Sequence, residues 1–294
     1  MEKVDLFILA SSSNSRLKLL SSINIKPDII FAPNIIEKRK KIKYQGKIIL
    51  ERPIALAKRL AKEKAEATIN NISSILFNNN ILNNSTELKL QNKINNSNIL
   101  KDIINNPVKQ IATNIDLKPL NENILKDIIN NSDSKLLNDN ILQNDKKLQK
   151  LKNIFILASD SVIYSSAKVI DKPTNELELE KNLSILSGKQ HICYTAVCII
   201  KLDAINFSIL NKVIKLTTTR VTFKNLSKQE KNFYINNTLK SKNKFSYVYA
   251  AEGLAGRYIK NINGSISGLH GLPLCETINI LESLGFNSEN YEIN

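Results

Sequence analysis

The sequence has few cysteines and no long apolar run. Its three cysteines, Cys193, Cys198 and Cys275, include no Cys-x-x-Cys pair and are odd in number, which argues against a disulfide framework. We therefore expect buried, reduced thiols in a cytoplasmic protein. There is no uninterrupted run of about 18 apolar residues, so we expect no membrane-spanning helix. The short apolar run near the start is interrupted by an acid, Asp5, which is not typical of a signal peptide.

Arginine is also scarce, although the chain is strongly basic. It has 42 Lys and Arg residues against 27 Asp and Glu, a formal charge of +15. A basic stripe would indicate nucleic acid or an anionic membrane as the partner. Here the charge is very largely lysine and accompanies an excess of Ile and Asn, which indicates drift in composition. We therefore expect neither partner; a steep salt dependence of binding to arbitrary DNA would favour the nucleic-acid alternative.

The segment 70–153 contains no glycine or tyrosine and is packed with Asn, Ile, Leu and Lys. The phrase "NILKDIINN" occurs at 98–106 and again at 123–131. The irregular spacing of these copies argues against a solenoid. We interpret the segment as a disordered or loosely helical low-complexity insertion without catalytic residues, and a docking arm is the alternative. Residues 1–69 and 154–294 would then form one domain.

The two flanking parts show an α/β pattern. Apolar runs predict strands over 6–10, 154–158, 193–200 and 213–223. Apolar stripes and capping residues predict helices over 16–23, 53–68, 175–186 and 273–284, and Ser227 with Glu230 has the spacing of a capping box. Alternation of this kind predicts a mixed twisted sheet flanked by helices.

Two nearly identical phrases, "FILASSS" at 7–13 and "FILASDS" at 155–161, combine an apolar strand with polar residues. The first leads into a helix with Arg16 in its first turn, a natural anion site. The alternative is ordinary capping by Ser13 or Asn14, and for Ser11 and Ser13 both roles stay open. The second phrase places Asp160 just past a predicted strand end, where α/β sheets bind ligands.

Two lysines add to this pattern. Lys64 continues the apolar stripe of the helix over 53–68, so it must either snorkel, which is the commoner outcome, or meet an anion. Lys172 precedes a proline at a helix start in "DKPTNE", where a simple turn is the alternative. One Arg, two Lys and one acid suit a nucleoside polyphosphate with Mg²⁺ or Mn²⁺ better than a neutral ligand.

Taken in order, these stretches resemble the Maf family of nucleoside triphosphate pyrophosphatases. "LASSSNSRLKLL" is similar to the family's Leu-Ala-Ser-x-Ser-Pro-Arg-Arg opening, "RLAKEKAEA" to its Lys-Ala helix and "ASDSVI" to its Ala-Asp-Thr-Val-Val motif. "FAPNIIE", "DKP" and "LSGKQHICYTAV" follow the family's order as well. The resemblance covers about residues 4–69 and 154–286.

The resemblance implies a two-lobed α/β fold around a cleft, a divalent cation, a homodimer, and hydrolysis of the bond between the α- and β-phosphates. Nucleoside monophosphate and pyrophosphate would be the products, which could keep modified nucleotides out of nucleic acids. Asp160 matches the catalytic proton acceptor and a metal ligand, and Glu37 matches the second acid, which binds substrate and metal. The implied phosphate-binding residues are Arg16, Lys64 and Lys172.

Three positions depart from the family pattern and bear on the choice of base. Ser15 stands in place of an Arg, and Ser161 in place of a Thr. Glu252, in "AAEGLAG", stands where members acting on UTP and dTTP usually have Gln. A carboxylate can accept hydrogen bonds from the N1–H and amino group of guanine. The resemblance therefore indicates a preference like that for 7-methyl-GTP, with UTP and dTTP as the alternative.

A rival of another class is a Maf-like binding protein that affects cell division without turnover. Retention of all five charged site residues argues against such decay. His191, in a Ser-Gly-x-x-His stretch, is predicted to form a structural hydrogen bond, and His270 is assigned no role.

Overall fold

The computed structural model describes residues 4–44, 47–78, 150–241, 245 and 248–287. The chain divides into two compact units, one of Met1–Val4 with Ile69–Lys152 and one of Asp5–Thr68 with Asn153–Asn294. Most of the predicted insertion over 70–153 lies outside the described residues, so its domain boundaries stay a prediction. The described part of it includes a helix in which Ile72, Ile75 and Leu76 are buried.

The described strands and helices alternate along the chain. The strands are β1 (Val4–Leu9), β2 (Ile29–Ile30), β3 (Lys41–Tyr44), β4 (Lys47–Leu50), β5 (Leu151–Ser165), β6 (Lys168–Ile170), β7 (Gln190–Asp203), β8 (Ile209–Phe223) and β9 (Ile259–Asn263). The helices are α1 (Asn14–Ser21), α2 (Pro53–Asn70), α3 (Ile72–Asn78), α4 (Glu176–Leu186), α5 (Lys228–Leu239), α6 (Ile266–Leu269) and α7 (Leu274–Ser283), with a 3₁₀ turn at Leu254–Tyr258.

Among the described strands, a seven-stranded mixed sheet organises the larger unit, and β3 and β4 form a separate antiparallel pair. The strand order of the seven-stranded sheet is β2-β1-β5-β7-β8-β9, and β6 pairs with β5 at the side. The β5-β7-β8-β9 pairings are antiparallel, whereas β1 and β2 are parallel. The Asn153 side chain donates to the Asp5 carboxylate, and the Ala10 amide donates to the Leu157 carbonyl. Since both strands advance in the same direction between these contacts, β1 also runs parallel to β5. The predicted mixed α/β fold is confirmed.

Local signals account for several helix ends. The Ser227 hydroxyl and the Glu230 carboxylate form the predicted capping box at the start of α5. The side chain of Asn175 caps α4, and Gly188 follows the end of that helix with φ of +69°, a conformation that favours glycine. The helix over 273–284 is confirmed within one residue at each end.

The odd-numbered side chains of β5 serve two separate apolar clusters. Phe155 and Leu157 pack with α1 and α7 residues in one cluster, and Ile163 packs with α4 and α5 residues in the other. Ser159 and Ser161 lie between them on the same face, because alternate residues of a strand share a face. The sheet therefore has two cores, as a two-lobed fold requires, with a polar band between them.

The thiols only partly match expectation. Cys193 and Cys198 are buried and free, as predicted, but Cys275 is exposed because it lies on the outward face at the start of α7. In the described part of the chain, none of the helices is both long enough and apolar enough to cross a membrane.

Replacement of 79–149 by a short Gly/Ser linker is expected to leave the larger unit folded. A shorter loop costs less closure entropy than a longer one, and none of the predicted site residues lies in this stretch. The deletion starts after α3 because that helix buries three apolar side chains. Circular dichroism and thermal unfolding measure the outcome. Loss of the cooperative transition would show that 79–149 is part of the fold.

Candidate active site

Asp160 lies inside strand β5, not past its end as the sequence suggested. The pairing with β7 continues through Ser161↔Thr195 to Tyr164↔Ile192, because Val162, Ile163 and Tyr164 keep the segment strand-forming. The strand that does end nearby is β1: the amide of Ala10 bonds the carbonyl of Leu157. Asp160 thus lies close to the carboxyl end of β1, where the turn into α1 begins.

Lys64 forms the centre of a charged cluster on the face of β5 opposite the two apolar clusters. It is 9% exposed, and its Nζ lies 2.5 Å from Asp160 Oδ1 and 2.7 Å from Glu37 Oε1. Lys172 Nζ lies 3.3 Å from the other oxygen, Glu37 Oε2. Of the two alternatives for Lys64, the structure shows the second: the ammonium meets anions and is buried because two carboxylates neutralise it.

The cluster fixes the charge state of Glu37. Burial alone would raise the pKa of this carboxyl, but the ammonium groups of Lys64 and Lys172 outweigh that effect and lower the pKa to about 2. Glu37 is therefore ionised throughout the physiological range. Two cations and two anions then alternate from Lys172 through Glu37 and Lys64 to Asp160.

A second ion-pair network holds the chain that follows Glu37 against α2. The Arg59 guanidinium donates to the carboxylates of Glu51 and Glu63, with distances of 2.8 and 2.7 Å. Lys40 pairs with Glu63 as well, at 2.9 Å. Since Glu51 follows β4 directly, this network ties the β3–β4 hairpin to the helix that carries Lys64. It explains how Glu37 reaches the cluster.

Arg16 belongs to a different set of contacts. Its Nε donates to the carbonyl of Gly271 at 2.9 Å, and its Nη1 donates to the hydroxyl of Ser11 at 2.9 Å. Ser13 occupies the N-cap position of α1, but its side chain makes no capping bond, so the capping alternative does not hold for Ser13. Ser11 supports Arg16 instead. The Arg16 set meets the charged cluster at Ser159, whose hydroxyl bonds Gly271 and whose neighbour in the chain is Asp160.

The three positions predicted to affect base choice lie in two contacts. Ser15 Oγ donates to Glu252 Oε1, across 237 residues of sequence. Ser161 Oγ is 2.9 Å from the hydroxyl of Thr195, which donates to the carbonyl of Gly268 at 2.7 Å. Ser15 and Glu252 are thus paired, while Ser161 faces the polar band of the sheet.

The carboxylate oxygens of the cluster are donors that suit a hard divalent cation. Glu37 and Asp160 both present an oxygen to one ammonium, so these oxygens are close neighbours. No group of three or more His, Cys, Asp or Glu side chains that could hold a metal occurs among the described residues. Two carboxylates without a closed shell are typical of Mg²⁺ sites, in which phosphates and waters complete the coordination. The predicted ligand pair therefore fits Mg²⁺ or Mn²⁺.

The described contacts of the histidines and the lining of a surface groove include no residue of the charged cluster. His191 Nε2 is 2.7 Å from the Tyr249 hydroxyl, and burial lowers the pKa of this histidine to about 4, which supports the predicted structural role. His270 ends α6. A groove of about 500 Å³ is lined by Leu216, Thr217, Thr218, Gly264, Ser265, Cys275 and Glu276, none of them a predicted site residue.

Comparison with known proteins assigns the family. A family model described as "Maf-like protein" matches residues 6–88 and 96–284. The chain belongs to the Maf-like protein family. Asp160, Lys64, Glu37 and Lys172, which the Maf resemblance had singled out, are the residues that the fold assembles into one cluster.

Curated relatives of this Maf-like chain carry pyrophosphatase names. A "dTTP/UTP pyrophosphatase" of Neisseria gonorrhoeae (strain ATCC 700825 / FA 1090) is 34% identical over 131 residues, 45% of this chain and 60% of the relative. One of the same name from Colwellia psychrerythraea is 35% identical over 133 residues, 45% of this chain and 58% of the relative. A "Nucleoside triphosphate pyrophosphatase" of Rickettsia canadensis is 37% identical over 131 residues, 45% of this chain and 62% of the relative. The matches thus span about 60% of these relatives.

Proposed function

We propose that this Maf-like protein is a nucleoside triphosphate pyrophosphatase that cleaves the bond between the α- and β-phosphates. The observation that carries the proposal is the buried Lys64 ammonium held between Asp160 and Glu37. A buried cation between two acids, with a second lysine beside it, is a preformed site for a polyanion with a base at its centre. The names of the relatives support the same reaction.

The lysines act first, by binding. Phosphate oxygens are anions of the same kind as the carboxylates that Lys64 and Lys172 contact in the described structure. A bound triphosphate can therefore share or take over these ammonium groups without leaving either of them unpaired. As Lys64 turns toward phosphate, the carboxylate of Asp160 loses its closest partner and becomes available as a base.

Asp160 then acts on water. Its carboxylate accepts a proton from the water whose oxygen attacks the α-phosphorus. The bond from the α-phosphorus to the bridging oxygen breaks, and pyrophosphate leaves with the electron pair. Nucleoside monophosphate remains, and the proton passes from Asp160 to solvent. Glu37 and Asp160 would hold a divalent cation, which supplies neutralisation of the phosphate charge.

Pyrophosphate release tests the proposal directly. Purified protein is incubated with UTP, dTTP, GTP and 7-methyl-GTP, with Mg²⁺, with Mn²⁺ and with chelator. We expect equimolar monophosphate and pyrophosphate in the presence of a divalent cation. Binding of nucleotides without any turnover would instead establish the non-catalytic alternative.

For the base, we propose a preference of the 7-methyl-GTP type, with UTP and dTTP as the alternative. The proposal rests on Glu252, which is exposed and fixed by Ser15 at one oxygen. Its carboxylate can accept from the N1–H and amino group of a guanine, whereas a uracil edge offers one donor between two acceptors. The relatives named for dTTP and UTP keep the alternative open.

Glu252→Gln is expected to shift the ratio of kcat/KM for 7-methyl-GTP over UTP toward UTP by about tenfold. An amide can both donate and accept, so it suits a uracil edge and leaves one guanine donor without an acceptor. Competition between the two nucleotides measures the ratio. Glu180→Gln, on the exposed side of α4, is the matched control. An unchanged ratio in Glu252→Gln would remove Glu252 from base recognition.

The homodimer and the cytoplasmic location stay predictions. Light scattering on the eluting peak of a sizing column measures the first, and cell fractionation measures the second.

A further inference from the structure

The carbonyl of Gly271 lies within hydrogen-bond distance of two side-chain donors. Arg16 Nε lies 2.9 Å from it and Ser159 Oγ lies 2.8 Å from it. A carbonyl oxygen has two lone pairs, so both donors can be accepted. A single backbone oxygen therefore links Arg16 to the strand that carries Asp160.

Ser159 is placed to position neighbouring groups rather than to take part in the reaction itself. It is fully buried and immediately precedes Asp160, so its side chain points to the opposite face of β5. The same hydroxyl lies 2.9 Å from the carbonyl of Ala196 on β7, so its single proton is shared between that carbonyl and Gly271.

The segment 265–273, here called the glycine turn, comprises α6 and the residues around it. The backbone conformation at Gly271 determines where its carbonyl lies. Gly271 has φ of +105°, which side chains of L-residues rarely adopt. The Thr195 hydroxyl, bonded to Ser161, donates to the carbonyl of Gly268 in the same turn. The residues on both sides of Asp160 are thus tied to the glycine turn, Ser159 directly and Ser161 through Thr195.

We propose that Ser159 is a positioning residue that holds Arg16 in register with Asp160 through the carbonyl of Gly271. Two bonds, to Gly271 and to Ser11, fix the plane of the guanidinium. The triphosphate that Arg16 contacts is then held where Asp160 can act on the attacking water. The role of Arg16 as a phosphate ligand rests on the proposed function. A misplacement of about 1 Å in such a site can cost up to about 10²-fold in rate.

A double-mutant cycle of Ser159→Ala and Arg16→Ala tests this. Two quantities are measured for each variant: kcat/KM for pyrophosphate release, and the affinity for inorganic tripolyphosphate without divalent cation, by calorimetry. Ser159→Ala alone is expected to lower both by about tenfold, a fraction of the full misplacement cost. In the Arg16→Ala background it is expected to have no further effect, because the group that it positions is already gone.

Tyr258→Phe is the matched control for loss of a buried hydroxyl. Tyr258 is fully buried, and its hydroxyl donates to the carbonyl of Glu230 at 3.0 Å, outside the glycine turn. This variant should lower the thermal midpoint, as Ser159→Ala does, but should leave the tripolyphosphate affinity unchanged. That difference separates positioning from simple loss of stability.

Two results would overturn the inference: Ser159→Ala with unchanged affinity and kcat/KM, or the same tenfold loss with and without Arg16. The calorimetric measurement does not depend on turnover. If the wild-type protein released no pyrophosphate but the affinities still showed the coupling, the proposed function would fail while the positioning role of Ser159 would stand.

Discussion

Replacing Asp160 with Asn is expected to lower kcat for pyrophosphate release by about 10²- to 10⁴-fold, the usual contribution of a general base. The amide keeps the size of the side chain but cannot accept the proton of the attacking water. Lys64 retains Glu37 as a partner at 2.7 Å, so the fold should persist. Release of pyrophosphate from the preferred nucleotide, with circular dichroism in parallel, measures the result.

Asp203→Asn is the matched control for this substitution. Asp203 Oδ1 accepts from the amides of Ile205 and Asn206 in the turn after β7, and an asparagine oxygen can accept the same bonds. Its kcat should equal that of the wild type. Full activity in a folded Asp160→Asn variant would remove Asp160 from catalysis and with it the mechanism proposed above.

Lys64→Met is expected to lower both the catalytic activity and the stability of the protein. Removing one cation from the phosphate site should lower kcat/KM by about 10²- to 10³-fold. Removing one partner of a buried ion pair should also lower the free energy of unfolding by about 3 to 5 kcal/mol. Both side chains of the Lys64–Asp160 pair are about nine-tenths buried, so water compensates little. Urea unfolding and steady-state kinetics measure the two effects.

A second substitution separates those effects. Asp160→Asn in the Lys64→Met background removes the unpaired buried charge, so it should recover a large part of the lost stability and none of the activity. Lys58→Met, on the exposed side of the same helix, is the matched control and should change neither. A Lys64→Met variant as stable as the wild type would show that the ammonium does not hold the cluster together.

The sequence predicted the helices and strands better than the contacts between their side chains. Periodicity placed α2 and showed that Lys64 lies on its inner face, but not that Asp160 and Glu37 would meet it there. Those contacts join residues far apart in sequence, and no local pattern encodes them. Helix periodicity left open whether Lys64 snorkels or meets an anion, because it does not show which acids are buried at the same depth.

The error at Asp160 has a similar cause. The prediction rested on a local rule for the end of a strand, whereas tertiary contacts decided where the strand ends. Strand β5 continues past Asp160 because β7 offers it a partner for four more residues, through Ser161↔Thr195 to Tyr164↔Ile192. Ser159 was missed altogether. A serine in a buried strand carries no local signal, and its role is visible only once Gly271 is known to lie within hydrogen-bond distance.

The unequal exposure of the three thiols allows a spectroscopic label to be attached at one known position. Burial raises the pKa of Cys193 to about 11 and that of Cys198 to about 12, so neither should react with maleimides near neutral pH. Cys275 is exposed and lies two residues after the end of the glycine turn. A fluorophore or spin label should therefore attach there in the unmodified chain, without any cysteine being removed. Its signal would report whether the turn that presents Gly271 shifts when a nucleotide enters.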